Sequence, residues 1–95
     1  MTIRSAKPAD AALIFALGRE LAEYEQLSHA VDATEPMIAE ALFGASPRAF
    51  CDIAEWKGEA CGLALWFYNF STFRGRHGIY LEDLFVRPSF RGHGL

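Results

Sequence analysis

The sequence has 95 residues, 52% hydrophobic and 14% aromatic, which suits one small folded core and excludes a disordered chain. Its formal net charge is −3 and no basic stripe runs through it, so duplex DNA or RNA is disfavoured as a partner. No apolar run approaches the roughly 20 residues that span a bilayer, and no secretory leader opens the chain, so a cytoplasmic protein without a membrane partner is expected.

Thr2 to Ser5 reads as a short first strand. Pro8 suits the first turn of a helix, with Asp10 near its positive end. Leu13, Leu17, Leu21 and Tyr24 then recur at spacings of four, four and three. That period predicts an amphipathic helix of about 18 residues. Arg19, Glu20, Glu23 and Gln26 take its other side, and Arg19 and Glu23, four apart, are placed to pair. Tyr24 and Glu25 close the helix. They read either as a core tyrosine beside a solvated glutamate, or as an aromatic and a carboxylate facing an amine.

Ser28 to Ala33 reads as a loop. Thr34 is a candidate N-cap for a second helix with Pro36 in its first turn, Met37, Ile38, Ala41 and Leu42 on its buried side and Gly44 just past its end. Arg48 to Trp56 predicts a strand, Lys57-Gly58-Glu59 a tight turn and Ala60 to Asn69 a second strand. Leu63, Leu65 and Phe67 alternate with Ala64, Trp66 and Tyr68, so both faces of that strand are apolar. A central strand covered by helices on the two faces of a mixed sheet is the expectation. In such a hairpin Cys51 lies nearer Leu65 than Cys61, so free thiols are expected rather than a bridge. Phe70 to Gly78 reads as a polar loop whose two aromatics either anchor it to the core or wall an amine pocket.

The last stretch, Tyr80 to Leu95, carries the chemistry. Pro88 ends a strand rich in aromatic and aliphatic residues. Within it Glu82 and Asp83, as strand neighbours, are expected on opposite faces. A carboxylate in an apolar strand needs a partner, water or a raised pKa. Such a group reads either as half of a salt bridge or as a general base that removes a proton from an ammonium. After a short turn, Arg91-Gly92-His93-Gly94-Leu95 offers bare backbone N–H groups and a forked cation, a cradle for phosphate. His29, His77 and His93 lack metal-ligand spacing, so no metal is expected.

Glu82-Asp83-Leu84-Phe85-Val86-x-Pro88-x-x-Arg91-Gly92-x-Gly94 resembles the acetyl-CoA-binding motif of the GNAT superfamily of N-acetyltransferases, whose signature is Arg/Gln-x-x-Gly-x-Gly/Ala. Arg91 and Gly94 fill its first two marked positions, and the last falls just after Leu95. Glu20-Leu-Ala-Glu-Tyr-Glu25, Phe67-Tyr-Asn-Phe-Ser-Thr-Phe73 and Tyr80-Leu-Glu-Asp83 resemble the diamine (spermidine/spermine) acetyltransferases within it.

The resemblance implies an α/β (α+β) GNAT fold seen in its N-terminal half: a strand, two helices, a three-stranded antiparallel sheet and the start of the CoA-binding loop. It implies one domain over residues 1–95, short at its C-terminal side, since a full domain needs roughly half as many residues again. It implies acetyl-CoA as co-substrate, a small amine as acceptor and a homodimer. Tyr24, Glu25, Glu82 and Asp83 would contact the cationic acceptor, and Glu82 would hold it or act as base. Leu84, Phe85 and Val86 would bind the pantetheine arm through their backbone, and Arg91, Gly92, His93, Gly94 and Leu95 the pyrophosphate. The catalytic acid would be a tyrosine from the second half of the domain. Two alternatives stay open: a CoA-binding chain without activity that folds against a partner, and a dinucleotide-binding domain, since Gly92-x-Gly94 after a strand is a partial G-x-G-x-x-G.

Overall fold

A computed structural model describes residues 1–91. Strand β1 is Thr2–Ser5, helix α1 Ala11–Tyr24, helix α2 Glu35–Phe43, and strands β2, β3 and β4 are Phe50–Trp56, Glu59–Ser71 and Arg76–Val86. The strands form one sheet in the order β1-β2-β3-β4, and every pairing is antiparallel. The first strand therefore joins the three-stranded meander rather than standing apart from it. A dinucleotide-binding unit needs parallel strands with a helical crossover, so that alternative fails among the described residues.

Tight turns explain the meander. Lys57 and Gly58 both have positive φ, 52° and 81°, which matches the twist of a two-residue hairpin turn. Beyond Asn69 the chain departs from the expected loop. Strands β3 and β4 stay paired out to Ser71 and Arg76, and the reversal is confined to residues 72–75, where Gly75 has a φ of 63°. Of the two aromatics in the expected loop, Phe73 anchors nothing, being 98% exposed. Cross-strand pairs hold the extension instead, with Phe70 edge-on to His77 and Phe67 stacked on Tyr80.

Helix α1 is shorter than its period suggested. A 3₁₀ turn at Pro8–Asp10 precedes its 14 residues. Its buried stripe is Ala11, Ile14 and Leu17, with Leu13 and Leu21 partly buried, and Tyr24 lies outside it, 59% exposed. Arg19 lies over the Phe15 ring rather than pairing with Glu23. Thr34 caps α2 as expected, its hydroxyl accepting from the Met37 N–H at 3.4 Å. Of the residues assigned to the buried side of α2, Leu42 is buried and Ile38 partly so, while Met37 and Ala41 are exposed. Gly44 ends α2 with a φ of −72°, so it is not there for a left-handed turn.

Both helices lie on one face of the sheet. Ile14, Leu17 and Leu42 form a single cluster with Cys51, Ile53, Leu63 and Phe85. The expectation of helices on two faces is therefore corrected among the described residues. The other face of β3 is shielded in part by its own rings, where Phe50 stacks on Trp66 at 4.8 Å and Tyr68 meets both edge-on. Trp66 Nε1 also donates to Asp52 Oδ2 at 3.2 Å, which ties β3 to β2 across that face. Cys51 pairs with Leu65 and both thiols are free, as the hairpin register required. Burial pushes the Cys51 thiol up to about 12, so it stays protonated.

Two local contacts position this framework. Arg4 donates both terminal nitrogens to Asp10, at 2.7 and 3.0 Å, and the Lys7 N–H donates to the same carboxylate at 2.8 Å. The Arg4 bonds hold the Asp10 carboxyl down to about 2. A depressed carboxylate stabilises the fold above its unfolded pKa and loses that contribution as pH falls through the folded value. Asp10→Asn is therefore expected to lower Tm by roughly a few degrees at neutral pH. The wild-type and variant melting curves should converge at pH 2 and below. The second contact is Gly62, buried opposite Val86, where an added Cβ would strike the Phe85 carbonyl oxygen and come within 3.1 Å of the Val86 Cα. Gly62→Ala is expected to destabilise the protein by roughly 1–3 kcal/mol in denaturant unfolding, by forcing β4 away from β3.

Candidate active site

The end of β4 is locked to α1. The Arg87 N–H donates to the Cys61 carbonyl at 2.7 Å, and its side chain grips Glu20 through two parallel bonds of 2.9 and 2.8 Å. Its third bond, 3.2 Å, goes to the Ala60 carbonyl. A forked guanidinium is suited to this bidentate grip. The effect is to bring the last turn of α1, with Tyr24 and Glu25, beside the second half of β4.

Within β4 the ladder slips by one residue. Asp83 pairs with Leu65 and Leu81 pairs with Trp66, so Glu82 is the extra residue of a β-bulge. Simple alternation between Glu82 and Asp83 is therefore lost. Asp83 shares the helix-covered face with Cys51 and Leu65, is half-buried, and lines a cavity between helices and sheet with Ile14, Leu21, Ile38 and Leu42. It also lines an adjoining cavity with Gly18, Leu21, Leu27 and Glu25. Glu82 is exposed at the bulge. Burial pushes the Asp83 carboxyl up, and the charges of Glu82 and Glu25 push it further. Asp83 thus feels both of the other carboxylates, and among the described residues none of the three forms an ion pair with a cation. Such a cluster can hold a cation and accept a proton.

The other side of β4 presents backbone. β4 is the last strand in the sheet order, so its outer edge is unpaired among the described residues. Peptide groups alternate in direction along a strand. The Arg87 N–H points at β3, so those of Val86 and Leu84 point outward, and the Val86 carbonyl indeed accepts from Arg91 Nε at 2.9 Å. Phe85 is buried in the core and Leu84 exposed, so these residues offer a ligand their main chain more than a pocket. An open edge followed by a forked cation fits an extended thioester arm that ends in phosphate. Gly92, His93, Gly94 and Leu95, expected to complete the phosphate cradle, lie outside the described residues.

Sequence reading found the residues of this region but not their contacts. Arg91 Nη1 donates to the Tyr24 hydroxyl at 3.1 Å, and its guanidinium carbon sits 4.6 Å from the Tyr24 ring centroid. Neither this pair nor Glu20–Arg87 is visible in spacing, because each joins positions 67 apart. The period of α1 gave no hint of the Tyr24 contact, since it counted Tyr24 in the apolar stripe.

A sequence model of the Acetyltransferase (GNAT) family matches residues 15–95. Thialysine N-epsilon-acetyltransferase of Bos taurus is 42% identical over 101 residues, covering 98% of this chain and 59% of the relative. Spermidine/spermine N(1)-acetyltransferase-like protein 1 of Homo sapiens is 29% identical, covering 98% of this chain and 14% of the relative. The chain thus spans about 59% of the length of the thialysine enzymes it matches. Among solved structures, an integron cassette protein from the mobile metagenome of Cole Harbour Salt Marsh superposes with a TM-score of 0.77 at 22% identity, over 97% of this chain and 60% of that one. A ribosomal-protein-alanine N-acetyltransferase from Brucella melitensis biovar Abortus superposes with a TM-score of 0.71 at 21% identity, over 100% of this chain and 63% of that one. The α/β fold expected from the residues is therefore the one found, and this chain belongs to the Acetyltransferase (GNAT) family.

Proposed function

We propose that the protein is an acetyl-CoA-dependent N-acetyltransferase whose acceptor is the primary amine of a small cationic substrate, a polyamine or a lysine-like amine. One observation carries the reading: Glu25 and Asp83 converge on one cavity, without a cation, at the strand whose open edge leads to Arg91. The names of the relatives, which act on thialysine or carry the name of spermidine/spermine acetyltransferases, point to the same acceptor chemistry.

In this reading Glu25 and Asp83 hold the ammonium. Only the neutral amine is a nucleophile, so a carboxylate must take its proton first, and Glu82 does so directly or through water. The amine nitrogen then attacks the thioester carbonyl carbon. The C–N bond forms, the C–S bond breaks, and the thiolate leaves and is protonated. An outward N–H of β4 donates to the carbonyl oxygen as charge builds on it. No covalent enzyme intermediate is needed. Asp83 is a rival for the role of base, because burial and two neighbouring charges already raise its proton affinity.

The test is thiol release from acetyl-CoA by the purified protein with spermidine, thialysine and lysine. Turnover with at least one of them supports the reading. Binding of acetyl-CoA without turnover supports a CoA-binding protein that is not an enzyme, and no binding sinks both. Glu82→Gln is expected to lower kcat roughly 10²–10⁴-fold and to remove the acidic limb of the pH profile, while Asp83→Asn acts mainly on the acceptor KM. If Asp83→Asn removes the acidic limb and Glu82→Gln leaves it, Asp83 is the base.

Asp83 also yields a stability prediction. A carboxyl whose folded pKa is raised leaves the fold at full stability at low pH and weakens it as pH rises through the folded value. Asp83→Asn should therefore raise Tm at neutral pH, and the gain should vanish below the usual carboxylate range. A variant that melts lower at neutral pH would show that the native charge is paired after all.

A further inference from the structure

We infer that Tyr24 is a positioning residue for Arg91, holding the guanidinium at the end of β4 in the orientation in which it meets an anionic group of acetyl-CoA. This rests on the proposed acetyl-CoA-dependent reading. A free arginine side chain samples many rotamers and loses that freedom when it binds an anion. Three contacts already restrain Arg91. Its Nε donates to the Val86 carbonyl at 2.9 Å, its Nη1 donates to the Tyr24 hydroxyl at 3.1 Å, and its guanidinium carbon lies over the Tyr24 ring at 4.6 Å. Nη2 takes no part in either bond and remains for a ligand. One bond fixes the fork to the strand that would carry the thioester arm, and the other fixes its tilt.

Tyr24 is itself held in place. Its ring meets the buried Phe85 ring at 6.4 Å and 57°, and Arg87 clamps Glu20, one turn earlier on the same helix. Yet the tyrosine is 59% exposed and stands outside the core cluster. An aromatic so placed contributes little to the interior, so its removal should be felt at the ligand rather than in the fold. The hydroxyl and the ring act separately, which lets two substitutions divide the contribution.

The experiment is calorimetric binding of two ligands: acetyl-CoA, and S-acetylpantetheine, which keeps the thioester arm but lacks the pyrophosphate. Tyr24→Ala is expected to weaken acetyl-CoA binding roughly three- to tenfold and to leave S-acetylpantetheine within about twofold. Tyr24→Phe keeps the ring and is expected to recover most of that loss. In an Arg91→Ala background, Tyr24→Ala should have no further effect on acetyl-CoA. Equal losses for both ligands, unchanged acetyl-CoA affinity, or full additivity with Arg91→Ala would each overturn the assignment. Failure of the unsubstituted protein to bind acetyl-CoA overturns the enzymatic reading as well, so the two failures are distinguishable. A melting curve of each variant separates ligand effects from unfolding, and should Tyr24→Ala fail to fold, Tyr24→Leu, which also lacks ring and hydroxyl but keeps bulk, takes its place with the same expected losses.

Discussion

Helix α1 lies across the row Ile53–Leu63–Phe85, and Leu17 at its centre is fully buried with Ile53. That packing is what the described structure depends on. It sets which face of β4 is interior, and so which of its side chains meet the helix. The Glu20–Arg87 grip then fixes how far along the strand the helix sits. Partly exposed ion pairs contribute little stability, so its importance is geometric. Slide α1 along the sheet by one turn and Glu25 no longer shares a cavity with Asp83.

The same packing leaves the carboxylates in tension with the fold. Asp83 sits on the face that the helices cover, among Ile14, Leu21 and Leu65, where an ionised group loses hydration. Its neighbours Glu82 and Glu25 repel it further. A protein selected only for stability would place an apolar residue there. In the proposed reading the placement has a use, because an arriving ammonium would relieve both burdens at once. The end of β4 is arranged in the opposite sense: Arg91 contacts an aromatic face and a carbonyl, neither of which bears a charge that an anion, in the proposed reading, would have to displace.

Much of this was legible in the residues. The elements follow from local signals: Pro8 and Asp10 at the start of α1, Thr34 at the start of α2, Gly58 in the hairpin, and Pro88 after β4. The free thiols followed from register alone. What was not legible depends on tertiary context. Tyr24 fits the apolar period of α1 yet stays 59% exposed at the end of the helix, so periodicity placed it wrongly. The two-sided apolarity of β3 was real but is not met by a second layer of helix among the described residues, where Phe50, Trp66 and Tyr68 cover one another only in part. The loop expected from Phe70 to Gly78 is mostly strand, since cross-strand aromatic pairs override its polar composition. The bulge at Glu82 could not be seen either, because a ladder slip is a relation between two strands.

That slip has a further meaning for the chain. Pairing on either side of Glu82 already alternates correctly, with Asp83 opposite Leu65 and Leu81 opposite Trp66. Excising Glu82 would splice the two runs into an unbroken strand with every neighbour keeping its orientation. The extra residue breaks the regular ladder and leaves the Glu82 side chain exposed, and re-aiming a side chain is what a bulge does to a strand. In the proposed reading, losing Glu82 would remove the base while both flanking runs of β4 stay in phase with β3.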